Sequence, residues 1–290
     1  ARPRPRLEPH ASFMMETLLG MLRAVPPGGT PSVMRHAADG ITHALRAGLG
    51  ECLSERGQLS LAGALAAEAT SSACLESMLC CLLKELAMLL LQLRELATEA
   101  RRHLLEGEVP RLQLSVSHPN RHARLAASQC LYALGVAFPA DLASTLNDAL
   151  GRLKLEASAP PPAATGATDA LGGYAHAAAA LLAAIPRTPL GAPSELASSA
   201  LRITMELHAA PGEQPAAAAW TIVRALLVQE AEWVSTKSVL SRLYSMFKTA
   251  LGTGVTSFGK ERREEVEAEL RGRARALHAL STFMSSTPEP

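Results

Sequence analysis

From Ser117 to Leu155 the apolar positions fall into two stripes separated by a corner. Ala123, Ala127, Cys130, Leu134 and Phe138 recur at spacings of three and four, which places them on one face of a helix. Beyond Phe138-Pro139, Leu142, Leu146, Ala149, Leu150 and Leu153 repeat the pattern, with Pro139 opening the second helix. Ser117 or Asn120 can cap the first helix. Pro119 suits its first turn, because the N–H it lacks would be unpaired there. Ala126 and Ala127 are small enough for another helix to approach closely. A pair of this size cannot bury its apolar face alone. It needs neighbours like itself, which is the logic of an α-solenoid.

The same rhythm continues on both sides. A helix is expected over 11–24 with Phe13, Leu18, Met21 and Leu22 inward, then a breaker loop at 25–31. A second helix is expected over about 32–49, using Val33, Ala37, Ile41, Ala44, Leu45 and Leu49, and a turn at 50–58 around Gly50 and Gly57. From about 58 to 106 no proline occurs, so the stretch is one very long helix or two with a break near Thr70-Ser71-Ser72. Within it Leu75, Leu79, Leu82, Leu86, Leu89, Leu93, Leu96 and Ala100 alternate four-three, a heptad seam that can form a homodimer coiled coil. Met78, Cys80, Cys81, Leu83, Ala87, Met88, Leu90 and Leu91 are also apolar, and a two-stranded coil would leave the outer ones in water. A helix wrapped on several sides by its own chain accounts for them better.

A short helix at 108–116 leads into the pair at 117–155. After an Ala/Pro-rich loop at 157–168, helices follow at 169–185, about 194–209, 214–230, 232–251 and 261–286. The last turns apolar at Ala276, Leu277, Leu280 and Phe283. No segment reads as a strand. The fold class is therefore all-α, an α-solenoid of antiparallel helix pairs of the HEAT/armadillo-like kind.

Composition agrees: 48% of residues are hydrophobic but only 3% aromatic, and Ala and Leu, strong helix formers, dominate. The formal net charge of +1 gives no general attraction to nucleic acid or anionic lipid. Residues 1–10, with Arg2, Arg4 and Arg6 between prolines, read as a disordered solvated tail. The five cysteines suggest buried reduced thiols in a cytosolic protein rather than a disulfide framework. The most apolar stretch, 73–93, carries Glu76, Lys84 and Glu85, so no membrane span is expected.

Candidate chemistry is sparse. Gly254 to Lys260 matches the first seven places of a phosphate-binding loop, but Glu261 stands where Ser or Thr should hold magnesium, and the preceding Tyr244–Leu251 reads as helix rather than strand. His118 and His122 lie four apart, a spacing that suits two metal ligands, but no third ligand is near in sequence. Cys80-Cys81 is not a CxxC, and the acidic run from Glu261 to Glu269 is mixed with Arg262 and Arg263. No catalytic residue, cofactor or metal is expected. The residues singled out for packing between repeats are Arg124, Phe138, Tyr174 and Trp220; Trp233 is a second candidate anchor.

The stretch 119–135, with Pro119, Arg124, Ala126-Ala127, Leu131 and Leu134, resembles the second helix of a HEAT repeat, although His118 stands where an aspartate is usual. In order along the chain come Ser117-His-Pro119, Ala137-Phe-Pro139, Gly173-Tyr174 with Ala180-Leu-Leu182, Pro189 to Pro193, Ala219-Trp220 with Ala225-Leu-Leu227, and Arg273 to Leu280. This order resembles the HEAT repeat-containing protein 5 family over about 108–287. The resemblance implies one piece of a longer, non-enzymatic scaffold, cytoplasmic and peripheral at the Golgi and endosomes. Its implied partners are the clathrin adaptor complex and accessory proteins, and its implied role is cargo sorting between endosomes and the trans-Golgi network. The alternative is a HEAT-type module serving nuclear transport or a kinase or phosphatase scaffold. The expected organisation is a tail (1–10), N-terminal helices (11–110), a HEAT-like pair (111–156), a loop (157–168) and further repeats (169–290).

Overall fold

Among the residues that the computed structural model describes, every regular element is helical. These are 8–24, scattered positions within 36–46, 53–71, 74, 76–93, 109–159, 169–188, 194–228, 237–252 and 263–286. The chain divides into two units, 1–140 and 141–290, and each is described by itself. The boundary, between Ala140 and Asp141, falls in the first turn of the helix that follows the Phe138-Pro139 corner, inside the stretch expected to form one helix pair.

In the first unit, α1 (Ala11–Arg23) follows a 3-10 turn at Glu8–His10. Its inward face differs from the expectation. Phe13 and Met21 are 71% and 57% exposed, whereas Leu19 is buried and Met14, Met15 and Leu18 are half-buried. At 100° per residue these four make one stripe, and Phe13 and Met21 fall to one side of it. Arg23 at the end of α1 donates to both carboxylate oxygens of Glu68, at 3.0 and 2.6 Å.

Glu68 belongs to α2 (Glu55–Ala69). This helix starts three residues earlier than expected because Ser54 caps it, its hydroxyl accepting from the Gly57 N–H at 3.4 Å. Gly57 thus lies inside the first turn rather than in a preceding loop. Thr70 ends the helix, its N–H and hydroxyl both donating to the Ala66 carbonyl. Of the two readings of 58–106, one very long helix or two with a break near 70–72, the second describes the end of α2.

Helix α3 (Glu76–Leu93) follows. The seam residues Leu79, Leu82, Leu86, Leu89 and Leu93 are buried, and so are Met78, Cys81, Leu83, Ala87 and Leu90. One stripe cannot explain that. The helix packs against both α2 and α5 (Arg121–Ala137), so its own unit covers it on more than one face. Leu75, Leu96 and Ala100 lie outside the described residues, as does most of the helix expected at 32–49, of which Leu45 is buried.

A short α4 (Val109–Leu114) and a 3-10 turn at Ser115–Ser117 precede α5. Asn120 rather than Ser117 is the cap: its side-chain oxygen accepts from the His122 N–H at 2.7 Å. Pro119 consequently stands just before the cap, not in the first turn as expected. Ala123, Ala127, Cys130, Leu134 and Phe138 are all buried, together with Ala126, Leu131 and Ala133 on adjoining faces.

The second unit holds α6 (Pro139–Ser158), whose buried residues are the five the spacing selects, Leu142, Leu146, Ala149, Leu150 and Leu153. It runs past Leu155 into the expected loop. Helices α7 (Ala170–Ala184), α8 (Ser194–Ala209), α9 (Glu213–Leu227), α10 (Lys237–Gly252) and α11 (Arg263–Ser286) follow close to their expected places. Asp169 caps α7 by accepting from the Gly172 N–H at 3.0 Å, and a side chain at 172 would collide with that carboxylate. Gly212 turns the chain into α9 with φ +107°, the left-handed region that glycine reaches without strain. Helix α9 is the centre of the unit, packing against α7, α8 and α11, while α10 packs on α11. In α11, Ala276 and Ala279 are buried, whereas Leu277, in the same apolar run, is 54% exposed. It lies about 100° round the helix from Ala276, off the stripe that the two alanines mark.

Candidate functional site

Arg124 is an arginine with only 6% of its surface exposed, one turn into α5. A buried guanidinium must have its donors met. Its Nη1 donates to the carbonyls of His118 and Pro119, at 3.0 and 2.9 Å. These belong to the corner that leads into its own helix. Asn120, whose oxygen caps α5, also donates through its amide nitrogen to Glu76 at the start of α3. The corner is thus tied down by Arg124 from one side and by the first turn of α3 from the other. Replacing Arg124 by Met keeps the apolar stem and removes the donors. It is expected to cost about 2 kcal/mol in urea unfolding, and an unchanged midpoint would rule out this role.

His118 takes part in the same corner, its Nδ1 accepting from the Asn120 N–H at 3.1 Å. His122 is exposed one turn further on. No group of three His, Cys, Asp or Glu side chains suited to a metal ion occurs among the described residues.

The other sequence candidates sit inside cores. Phe138 is 4% and Tyr174 7% exposed. Trp220, 2% exposed, lies on α9 with its ring edge-on to His208 of α8 at 5.4 Å and tilted against Phe247 of α10 at 5.2 Å. It joins three helices of the second unit. Trp233 and the Gly254–Lys260 loop lie outside the described residues.

Three charged or titratable groupings have no signature in the spacing. Glu85, in the middle of the leucine helix, is 4% exposed and accepts two bonds from Arg46, and the pair lines a small depression together with Leu61, Leu65 and Met88. The signal available was a carboxylate among leucines, which demands a cation. Glu213, in the first turn of α9, receives Arg271 at 2.8 and 3.0 Å and Arg275 at 3.1 Å. The Arg271 hydrogen bonds hold its carboxyl below the usual range. His208 is half-buried beside Trp220, its Nδ1 without a hydrogen-bond partner among the described residues, and burial pulls its pKa down. Burial also pushes the thiols up, Cys74 to about 11 and Cys130 to about 12, which removes thiolate reactivity near neutral pH.

No helix among the described residues is long and apolar enough to cross a membrane. No family model matches the chain.

Proposed function

We propose that the chain is a stretch of α-solenoid that acts as a non-enzymatic protein-binding scaffold. The observation that carries this is the use made of its conspicuous side chains. Arg124 and Asn120 fix a helix corner, and Phe138, Tyr174 and Trp220 fill cores. The consecutive packed helices of each unit support the same reading. On the resemblance of Ser117–Pro119, Ala137–Pro139 and Ala219-Trp220 to the HEAT repeat-containing protein 5 family, the proposed setting is clathrin-adaptor-dependent sorting. The site of action would be the cytoplasmic face of Golgi and endosomal membranes. Purifying the tagged full-length chain from cells under native conditions is expected to bring down clathrin adaptor subunits. Recovery of none above a bait-free control would reject the trafficking setting, and nuclear accumulation of the tagged protein would favour the transport alternative.

A further inference from the structure

Helix α10 carries three cations, Lys237, Arg242 and Lys248, and no acidic residue. None of the three has an ion-pair partner among the described residues. The described carboxylates of the neighbouring α11, Glu267 and Glu269, pair instead with Arg271 and Arg273. The inward face of α10 is already covered, with Val239, Leu243 and Met246 buried. Its outer face is not a plain polar surface: Tyr244 is 69% and Leu240 39% exposed. At 100° per residue, Lys237, Leu240, Tyr244 and Lys248 fall on one stripe, with the two cations about 16 Å apart and the apolar pair between them.

We propose that this stripe is a docking surface for a short acidic segment of a partner protein, with an apolar side chain seated on Tyr244 and Leu240 and carboxylates at Lys237 and Lys248. Charge complementarity selects the partner's sign. The exposed tyrosine, a side chain favoured at interface centres, supplies the anchor. An anionic membrane fits less well. Only two apolar side chains are available to insert, and Arg242 lies on another side of the helix, so binding would rest on two lysines at a broad surface, each weak in high dielectric. The inference rests on the reading of the chain as a protein-binding scaffold and names the chemistry of one partner.

The test uses the full chain and a fluorescein-labelled amphipathic peptide of Glu, Ala and Leu, followed by anisotropy. Saturable binding is expected, weakened about tenfold or more by Lys237→Glu with Lys248→Glu and about tenfold by Tyr244→Ala. Because all three side chains are exposed, the variants should melt like the parent. The reversal Arg152→Glu with Arg187→Glu makes the same change in net charge at exposed positions elsewhere in the unit, and is expected to leave binding unchanged. Absence of saturable binding, equal weakening by both reversals, or binding to phosphatidylcholine–phosphatidylserine vesicles in place of the peptide would each overturn the proposal. Loss of the peptide site while adaptor subunits are still captured would reject this surface and leave the scaffold reading standing.

Discussion

Trp220→Ala is expected to destabilise the second unit by about 3–5 kcal/mol, lowering its thermal midpoint by roughly 10 °C. The indole is 2% exposed and sits on α9, the helix against which α7, α8 and α11 all pack. Truncation removes its contacts with His208 and Phe247 together and opens a cavity at the junction of three helices. Trp220→Phe keeps a ring in the site and is expected to recover more than half of the loss. Calorimetry of the full chain measures both. A midpoint within about 2 °C of the parent for the Ala variant would mean that α9 is not the centre of this unit.

Leu82→Ala is the corresponding test in the first unit, with an expected cost of about 2–5 kcal/mol. Leu82 is fully buried in α3, which α2 and α5 cover. Met88→Ala, on the same helix but 40% exposed, is expected to cost less than about 1 kcal/mol. Unfolding by urea at two protein concentrations makes the comparison sharper. If the leucine seam served a homodimer, the midpoint would rise with concentration. A single midpoint at both is the expected result, since the seam is already buried within the chain.

Helix positions were readable from the sequence because proline, glycine and the three-four spacing agree locally. The five buried residues of α6 are those the spacing selects. Faces were harder wherever a helix is apolar beyond one stripe. In α1 two large side chains at the margin, Phe13 and Met21, are expected inward but are exposed, while Leu19 is buried and Met14, Met15 and Leu18 are half-buried. Hydrophobicity alone does not say which side of a broad apolar band meets a partner helix. Polar groupings were the least legible. Arg46 with Glu85, and Arg271 and Arg275 with Glu213, join residues between 39 and 62 positions apart. Only tertiary packing brings them together. Arg124 was singled out from its helix position, and its bonds to the corner carbonyls required the fold.

Helices α3 and α7 are packed from different materials, and this sets opposite tolerances to change. The core of α3 is built of Leu82, Leu83, Leu86 and Leu90, whereas α7 buries Ala175, Ala177, Ala178 and Ala184 beside Tyr174, Leu181 and Leu182. In the leucine core the damaging direction is loss of volume. At the buried alanines there is almost no volume to lose, and an added methyl group has nowhere to go without moving a backbone. Across a saturation library, Ala-to-Val exchanges would therefore be purged at the buried alanines of α7, and at those of α5, while α3 is scarred mainly by shrinkage.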